Sequence, residues 1–102
     1  MISIVFKMTI KEGKVKEFKG VINLLTLSAH TKLGGAVQYS FYQSEDDEGT
    51  FILYEQWENK KNWQAHLDRL VTILGPKAEG SILPKKLIDY FEKKEDILYK
   101  EE

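Results

Sequence analysis

The chain has 102 residues, of which 42% are hydrophobic and 30% are charged, as expected for one globular domain over residues 1–102. Fifteen basic and sixteen acidic residues give a net charge of -1, so no strong basic field exists to attract nucleic acid or an anionic membrane surface. The chain contains no cysteine, which excludes disulfides, thiolate metal sites and cysteine nucleophiles, and favours a reducing compartment.

The amino-terminal residues are not typical of a targeting segment, because they lack a basic start, a long apolar run and a small-residue cleavage site. No apolar run approaches the roughly 20 residues that a membrane-spanning helix needs. We therefore expect a cytoplasmic protein with no membrane partner.

The first two predicted elements are a strand and a helix. Apolar residues alternate from Ile2 to Met8, which is the period of a strand. From Val15 onward they recur at helical spacing, with charged residues on the opposite face, which predicts an amphipathic helix. This helix is expected to end near Lys32, because Gly34 and the glycine after it supply the freedom that a helix exit needs.

The next two elements read as an antiparallel hairpin, with strands over Ala36–Gln43 and Thr50–Trp57 joined by a charged turn. Val37, Tyr39 and Phe41 are expected on one face of the first strand. The second strand is apolar on both faces: Phe51, Leu53, Glu55 and Trp57 alternate with Ile52 and Tyr54. Antiparallel strands of small monomers usually keep one face polar. One face is therefore expected to pack on helices, and the other on a second copy of this chain.

The remaining residues predict a helix, a short helix and a last strand. Asn59 is a good helix cap, and Gly75 with the proline after it ends the helix. A short helix is expected near Pro84, with Leu87, Ile88 and Phe91, and a short strand over residues 97–99. The order matches the ferredoxin-like β-α-β-β-α-β plan, an α+β fold with a four-stranded antiparallel sheet and helices on one face.

Glu55 and His66 are the candidate catalytic residues. Glu55 shares its strand face with large apolar residues, where burial would raise its pKa and suit it to proton transfer. His66 lies about two turns into the next helix, from where it could reach this strand, and a carboxylate could raise its basicity. The structural alternatives are that Trp57 and Trp63 are core aromatics, that His66 lies on a helix surface, and that Glu55 is a solvated partner of a lysine.

No metal or organic cofactor is expected. His30 and His66 lie 36 positions apart, and zinc or iron sites usually need three or four ligands. His30 is better explained as a helix C-terminal residue favoured by the helix dipole. The close glycine pair at 34–35 follows a helix and precedes a strand, the reverse of a dinucleotide-binding phosphate loop.

The chain resembles the antibiotic biosynthesis monooxygenase family of the dimeric α/β-barrel superfamily over nearly its whole length. The resemblance rests on three elements in order: Thr31-Lys32-x-x-Gly35 with Tyr39, then Phe51-x-Leu53-x-Glu55-x-Trp57-Glu58-Asn59, then His66. It implies a homodimer in which the two sheets face each other to form a barrel, with a pocket between sheet and helices in each subunit. It also implies oxidation of a small phenolic or quinol-like aromatic by molecular oxygen, without metal, flavin or haem.

The resemblance implies roles for particular side chains: His66 and Glu55 are expected to be catalytic, and Trp57, Trp63, Tyr39 and Phe51 to bind substrate. The chain departs from the family at Lys32, Leu33 and Gly34, where an arginine, an acid and a proline are common; these positions concern the pocket rim. The haem-degrading relatives are not matched, because their tryptophan would fall at His66 and no histidine follows it.

The predicted function is a cofactor-independent monooxygenase. The alternatives are a small-molecule isomerase or signal-metabolite-degrading enzyme on the same scaffold, and a non-enzymatic ligand-binding dimer, because one fold hosts many activities. An enclosed cavity that holds both Glu55 and His66 would favour an enzyme over a ligand binder.

Overall fold

The computed structural model describes residues 1–30 and 35–100, with side chains as far as Glu95. Its elements are β1 (Ile2–Ile10), α1 (Val15–His30), β2 (Ala36–Gln43), β3 (Thr50–Trp57), α2 (Lys60–Leu74), α3 (Lys85–Ile88) and β4 (Phe91–Lys100). The β-α-β-β-α-β order and the α+β class are as predicted. In this described part of the chain, no helix is long and apolar enough to cross a membrane.

The four strands form one antiparallel sheet in the order β2-β3-β1-β4. In the β1–β3 pair, Ile2 lies opposite Trp57 and Ile4 lies opposite Glu55. In the β2–β3 pair, Tyr39 lies opposite Glu55 from the other side. Glu55 is therefore flanked on both sides by neighbouring strands, in the interior of the sheet.

The main core lies between one face of the sheet and the helices. Phe18 of α1 is fully buried, because its ring meets aromatic rings from three strands and from the residue before β4. The centroid distances are 6.2 Å to Phe41, 5.4 Å to Phe51, 5.7 Å to Tyr90 and 6.1 Å to Phe91. Aromatic side chains bury large apolar areas in such edge-on contacts, so this cluster anchors α1 on the sheet.

Helix α2 begins and ends where its sequence predicts. The Asn59 side-chain oxygen accepts a hydrogen bond from the backbone N–H of Asn62 at 2.8 Å, as an N-cap does. Gly75 closes the helix with φ 104°, a left-handed value that side-chain-bearing residues rarely adopt. Between these caps, Leu67 and Leu70 are buried on the same face as His66.

The last strand is longer than predicted. It begins at Phe91, which was predicted to belong to the short helix, and it pairs with β1 along its length. The exposed residues Glu92–Glu95 are charged and have no apolar alternation, so periodicity did not reveal them as a strand. Pairing with β1 overrides this weak local preference.

The start of β2 also differs from the prediction. The register shifts between Ala36 and Gln38, so Val37 is 46% exposed instead of sharing the buried face of Tyr39. One extra residue in a strand reverses the faces before it, which period-two alternation cannot foresee. The predicted exit of α1 at Thr31–Gly34 lies outside the described residues.

The other face of the sheet carries no helix among the described elements. Its apolar side chains are partly exposed: Ile52 by 40% and Tyr42 by 57%, with Val5 and Tyr54 intermediate. We call this surface, defined by these four residues, the open face.

Candidate functional site

A cavity of about 30 Å³ lies between the sheet and the helices. Most of its lining is apolar, and the side chains of Tyr39, Glu55 and His66 supply its polar groups. This volume admits a water molecule, whereas a cavity that holds benzene measures about 150 Å³. An aromatic ligand could therefore bind only if some lining side chains moved apart. The structure brings Glu55 and His66 to one cavity.

Glu55 is a buried residue of β3. Its side chain is 2% exposed, and its Oε1 accepts a hydrogen bond from Trp57 Nε1 at 2.9 Å. These residues are two positions apart on a strand, so their side chains project from the same face. Burial raises the pKa of Glu55 to about 7, while the hydrogen bond from Trp57 opposes this rise. The carboxyl group is thus able to accept and release a proton near neutral pH.

His66 reaches the cavity from α2. Its ring lies 4.8 Å from the Trp57 indole with a 34° interplanar angle, and 5.2 Å from the Tyr39 ring at 67°. The side chain is 2% exposed, and Nδ1 is buried without a hydrogen-bond partner among the described residues. An unpartnered buried polar atom is costly, by about 1–3 kcal/mol, and such atoms need an explanation.

The ionisation of His66 differs from the expectation. Burial, and secondarily the positive charge of Arg69, lower the pKa of His66 to about 4, so its imidazole is neutral at neutral pH. The prediction that Glu55 raises the basicity of His66 is wrong in direction. The Glu55 carboxylate accepts its hydrogen bond from Trp57 and not from His66, and the loss of water around a buried cation disfavours the charged imidazole.

Tyr39 supplies the third polar group from β2. Burial, and secondarily the negative charge of Glu55, raise the pKa of its hydroxyl well above the usual value. The phenol is therefore protonated across the physiological range. The Nε2 atom of His30 lies 3.0 Å from the backbone carbonyl oxygen of Tyr39, which ties the end of α1 to this strand.

The remaining predicted site residues occupy different places. Trp57 is fully buried and contacts Glu55 and His66 without lining the cavity. Phe51 packs on the Phe18 ring, and Trp63 is a partly buried residue at the edge of the core; neither lines the cavity.

Six leucines that were not predicted as site residues also line the cavity, and two of them, Leu83 and Leu87, come from the segment between α2 and β4. Leu83 is 5% exposed, and its carbonyl accepts a hydrogen bond from the Ala78 N–H at 3.0 Å. Leu87 comes from α3. Leu83 lies in a connection without periodicity, so no sequence signal marked it; its position before Pro84 was the only hint of order.

The described side chains offer no cluster of metal ligands. Among residues 1–30 and 35–95, no three His, Asp or Glu side chains are grouped so that they could hold an ion.

Solved structures share this fold. A Nitrosomonas europaea protein, provisionally assigned as an antibiotic biosynthesis monooxygenase, is 19% identical with a TM-score of 0.76, covering 99% of this chain and 98% of its own. A conserved protein from Methanosarcina mazei is 20% identical with a TM-score of 0.73, covering 99% and 92%. A mutant of SnoaB, a cofactor-independent oxygenase from Streptomyces nogalater, is 15% identical with a TM-score of 0.72, covering 98% and 91%. At these identities the likeness shows the fold.

Sequence comparison adds the family. No curated protein gives a significant match. A profile described as antibiotic biosynthesis monooxygenase matches residues 1–70, which run from β1 into α2 and include Tyr39, Glu55, Trp57 and His66. Because this match covers more than half of the chain, the protein belongs to the antibiotic biosynthesis monooxygenase family.

Proposed function

We propose that this protein is a cofactor-independent monooxygenase that oxidises a small phenol- or quinol-like aromatic with molecular oxygen. The observation that carries the proposal is the Glu55 carboxyl group, which is 2% exposed, lines an otherwise largely apolar cavity and has a pKa raised to about 7. A base with this proton affinity is matched to a neutral operating pH. Family membership, and the likeness to SnoaB, support the same chemistry.

The reaction needs no electron donor other than the substrate. Glu55 takes the proton of an aromatic hydroxyl, and the resulting anion, which is far more electron-rich than the phenol, reduces oxygen. A carbon–oxygen bond forms at the ring to give a hydroperoxide. Cleavage of its O–O bond, with loss of the ring hydrogen, releases one oxygen atom as water and leaves the other as a carbonyl. A phenol and O₂ thus give a quinone and water, with atoms and electrons balanced.

His66 and Tyr39 are suited to hold the substrate anion. Neutral imidazole and protonated phenol each carry one hydrogen that can be donated to an oxyanion, and both groups stay in these forms at neutral pH. Such donors are most effective in surroundings of low polarity, and the lining of this cavity is largely apolar. The unpartnered Nδ1 of His66 would gain a partner when the ligand binds.

The first test is oxygen uptake by the purified protein with a panel of single-ring and fused-ring phenols and hydroquinones. We expect Glu55→Gln to lower kcat by a factor of roughly 10²–10⁴, which is the usual contribution of a general base. Glu58→Gln is the matched control, because it removes an exposed carboxylate three positions along the chain and should keep the wild-type rate.

The result also separates the alternatives. The same base could catalyse an isomerisation by removing a proton next to a carbonyl group, and that reaction would proceed without oxygen. Turnover under nitrogen, or saturable binding of a panel compound without turnover, would contradict the monooxygenase. Oxygen uptake that is equal in wild type and Glu55→Gln would remove Glu55 from the mechanism.

We also propose that two copies associate through their open faces. The side chains of Val5, Tyr42, Ile52 and Tyr54 form this partly exposed apolar surface. Contiguous exposed apolar patches on soluble proteins often mark interaction sites. The sheet-to-sheet dimer implied by the resemblance would cover them.

A further inference from the structure

We infer that Trp57 is a positioning residue: its indole N–H holds Oε1 of Glu55 and leaves Oε2 as the oxygen that takes the substrate proton. The catalytic part of this inference rests on the proposed function. The contact itself can be tested without any substrate.

The geometry makes Trp57 a directional partner. Its Nε1 lies 2.9 Å from Oε1 of Glu55, and the two side chains are 0% and 2% exposed, so both groups are shielded from bulk solvent. Indole has one N–H donor and no acceptor, so it can only donate a hydrogen bond to the carboxylate. No described residue donates a hydrogen bond to Oε2.

The indole is itself held by its neighbours. Its ring packs at 4.8 Å against His66 and at 6.4 Å against Tyr39, so aromatic contacts from α2 and β2 restrict its rotation. A fixed ring fixes the direction of the N–H, and through it the plane of the carboxylate. The same stacking sets the imidazole beside the cavity, so Trp57 orients both polar groups without lining the cavity.

The contact also opposes the effect of burial. A carboxyl group that is enclosed without a hydrogen bond keeps its proton and is a poor base near neutral pH. The hydrogen bond from Trp57 favours the charged form, and the pKa of Glu55 lies at about 7 with this contact present. Loss of the N–H should therefore raise the pKa further.

The two other titratable side chains that line the cavity do not titrate in the same range as Glu55. Tyr39 faces it from β2 and keeps its proton, while His66 reaches the cavity from α2 with a pKa lowered to about 4. Arg69, farther along α2, acts on His66. On β1 the residue opposite Glu55 is Ile4, which is apolar. Among these groups only Glu55 should change charge between about pH 5 and pH 9.

The test uses the two tryptophans of the chain as probe and reference. Two-dimensional ¹H–¹⁵N spectra of the full-length protein resolve each indole N–H, and a series from pH 5 to pH 9 follows them. We expect the Trp57 signal to move with a midpoint near pH 7, as its acceptor gains charge. Trp63 Nε1 is buried without a partner in the described structure, so its signal should stay in place.

Variants separate a positioning role from a structural one. In Glu55→Gln the Trp57 signal should lose its titration, and in Glu58→Gln it should keep it. Trp57→Phe keeps an aromatic ring but removes the N–H. The carboxyl ¹³C signal of Glu55 should then titrate at a higher pH by roughly half a unit to one unit. For an active enzyme, the rising limb of kcat against pH should move by the same amount while KM changes little.

The outcomes keep this inference distinct from the proposed function. A Trp57 signal that does not respond while Glu55 titrates would overturn the inference, whether or not the protein consumes oxygen. A titrating signal in a protein with no oxygenase activity would support the contact and overturn the proposed function. If Trp57→Phe does not fold, the titration in wild type and in Glu55→Gln decides by itself.

Discussion

The two faces of β3 show how one strand serves two purposes. Glu55 and Gln56 are consecutive, yet the first is 2% exposed under the helices and the second is half-buried on the opposite side. Gln56 donates a hydrogen bond to Ser3 of β1 at 3.2 Å. Among the described residues, the Glu55 carboxylate accepts a side-chain hydrogen bond from Trp57 at one oxygen, and the other oxygen is left for another partner.

This difference extends to the neighbouring strands and α2. On the open side, Gln38 of β2 donates a hydrogen bond to Ser40 at 2.6 Å, so polar side chains there satisfy one another. On the covered side, His66 keeps a buried nitrogen without a partner among the described residues. Polar groups that satisfy each other stabilise the sheet, whereas a buried polar group without a partner is costly and needs an explanation, for which the proposed substrate is one.

The largest expected effect concerns stability against pH. The pKa of Glu55, about 7, lies above the ordinary 4.5, so its contribution to stability is present below pH 4.5 and is lost as pH rises through 7. The pKa of His66, about 4, lies below 6.5, so its contribution is present above pH 6.5 and is lost as pH falls through 4. Each amounts to about 3 kcal/mol, and the two oppose each other.

Single variants should separate the two pH-dependent contributions to stability, which oppose each other in the wild type. In Glu55→Gln the free energy of unfolding should rise by about 3 kcal/mol between pH 4 and pH 6.5, whereas in His66→Asn it should fall by a similar amount between pH 4.5 and pH 7. Urea denaturation at several pH values measures both slopes. The same shallow slope in the wild type and in both variants would show that these groups are not enclosed in solution.

A smaller effect is expected on association through the open face. Ile52→Lys places a charge within the proposed interface and should weaken the dimer at least roughly tenfold, because an unpaired charge is costly to bury. Sedimentation velocity over a range of concentrations measures the change. Ile73→Lys on α2 is the matched control, since its 43% exposure resembles the 40% of Ile52. A wild-type monomer at micromolar concentration would contradict the interface.

The smallest effect is expected for the loss of one N–H on the open face of the sheet, and it is compared with the loss of one N–H on the covered face. Gln56→Met removes the hydrogen-bond donor to Ser3 on the open, partly solvated side of the sheet. We expect the free energy of unfolding to fall by less than about 1 kcal/mol. Trp57→Phe removes the hydrogen-bond donor to the buried Glu55 carboxylate. It should lower the free energy of unfolding by about 1.5–3 kcal/mol at pH 8, where Glu55 is ionised. Equal losses in denaturation measurements would show that the two faces do not differ as described.

Much of the fold could be predicted because local patterns carry it. Strand and helix periods, the Asn59 cap and the Gly75 stop predicted the element order, and the resemblance predicted the family that the profile match confirms. The predictions of strand extent and strand face were wrong where pairing between strands outweighs the local sequence pattern. These are the charged first half of β4, which is held by β1, and the bulge beside Val37.

The sequence by itself determined which side chains share a face, since alternation on a strand places Glu55 and Trp57 on one side. Only the tertiary structure decided what those side chains do to each other. The packing of α2 on β3 buried His66 and lowered its pKa, and the indole rather than the imidazole became the partner of the carboxylate. Protonation depends on how much water and charge surround a group, and these come from residues distant in the chain, so spacing along the sequence cannot supply them.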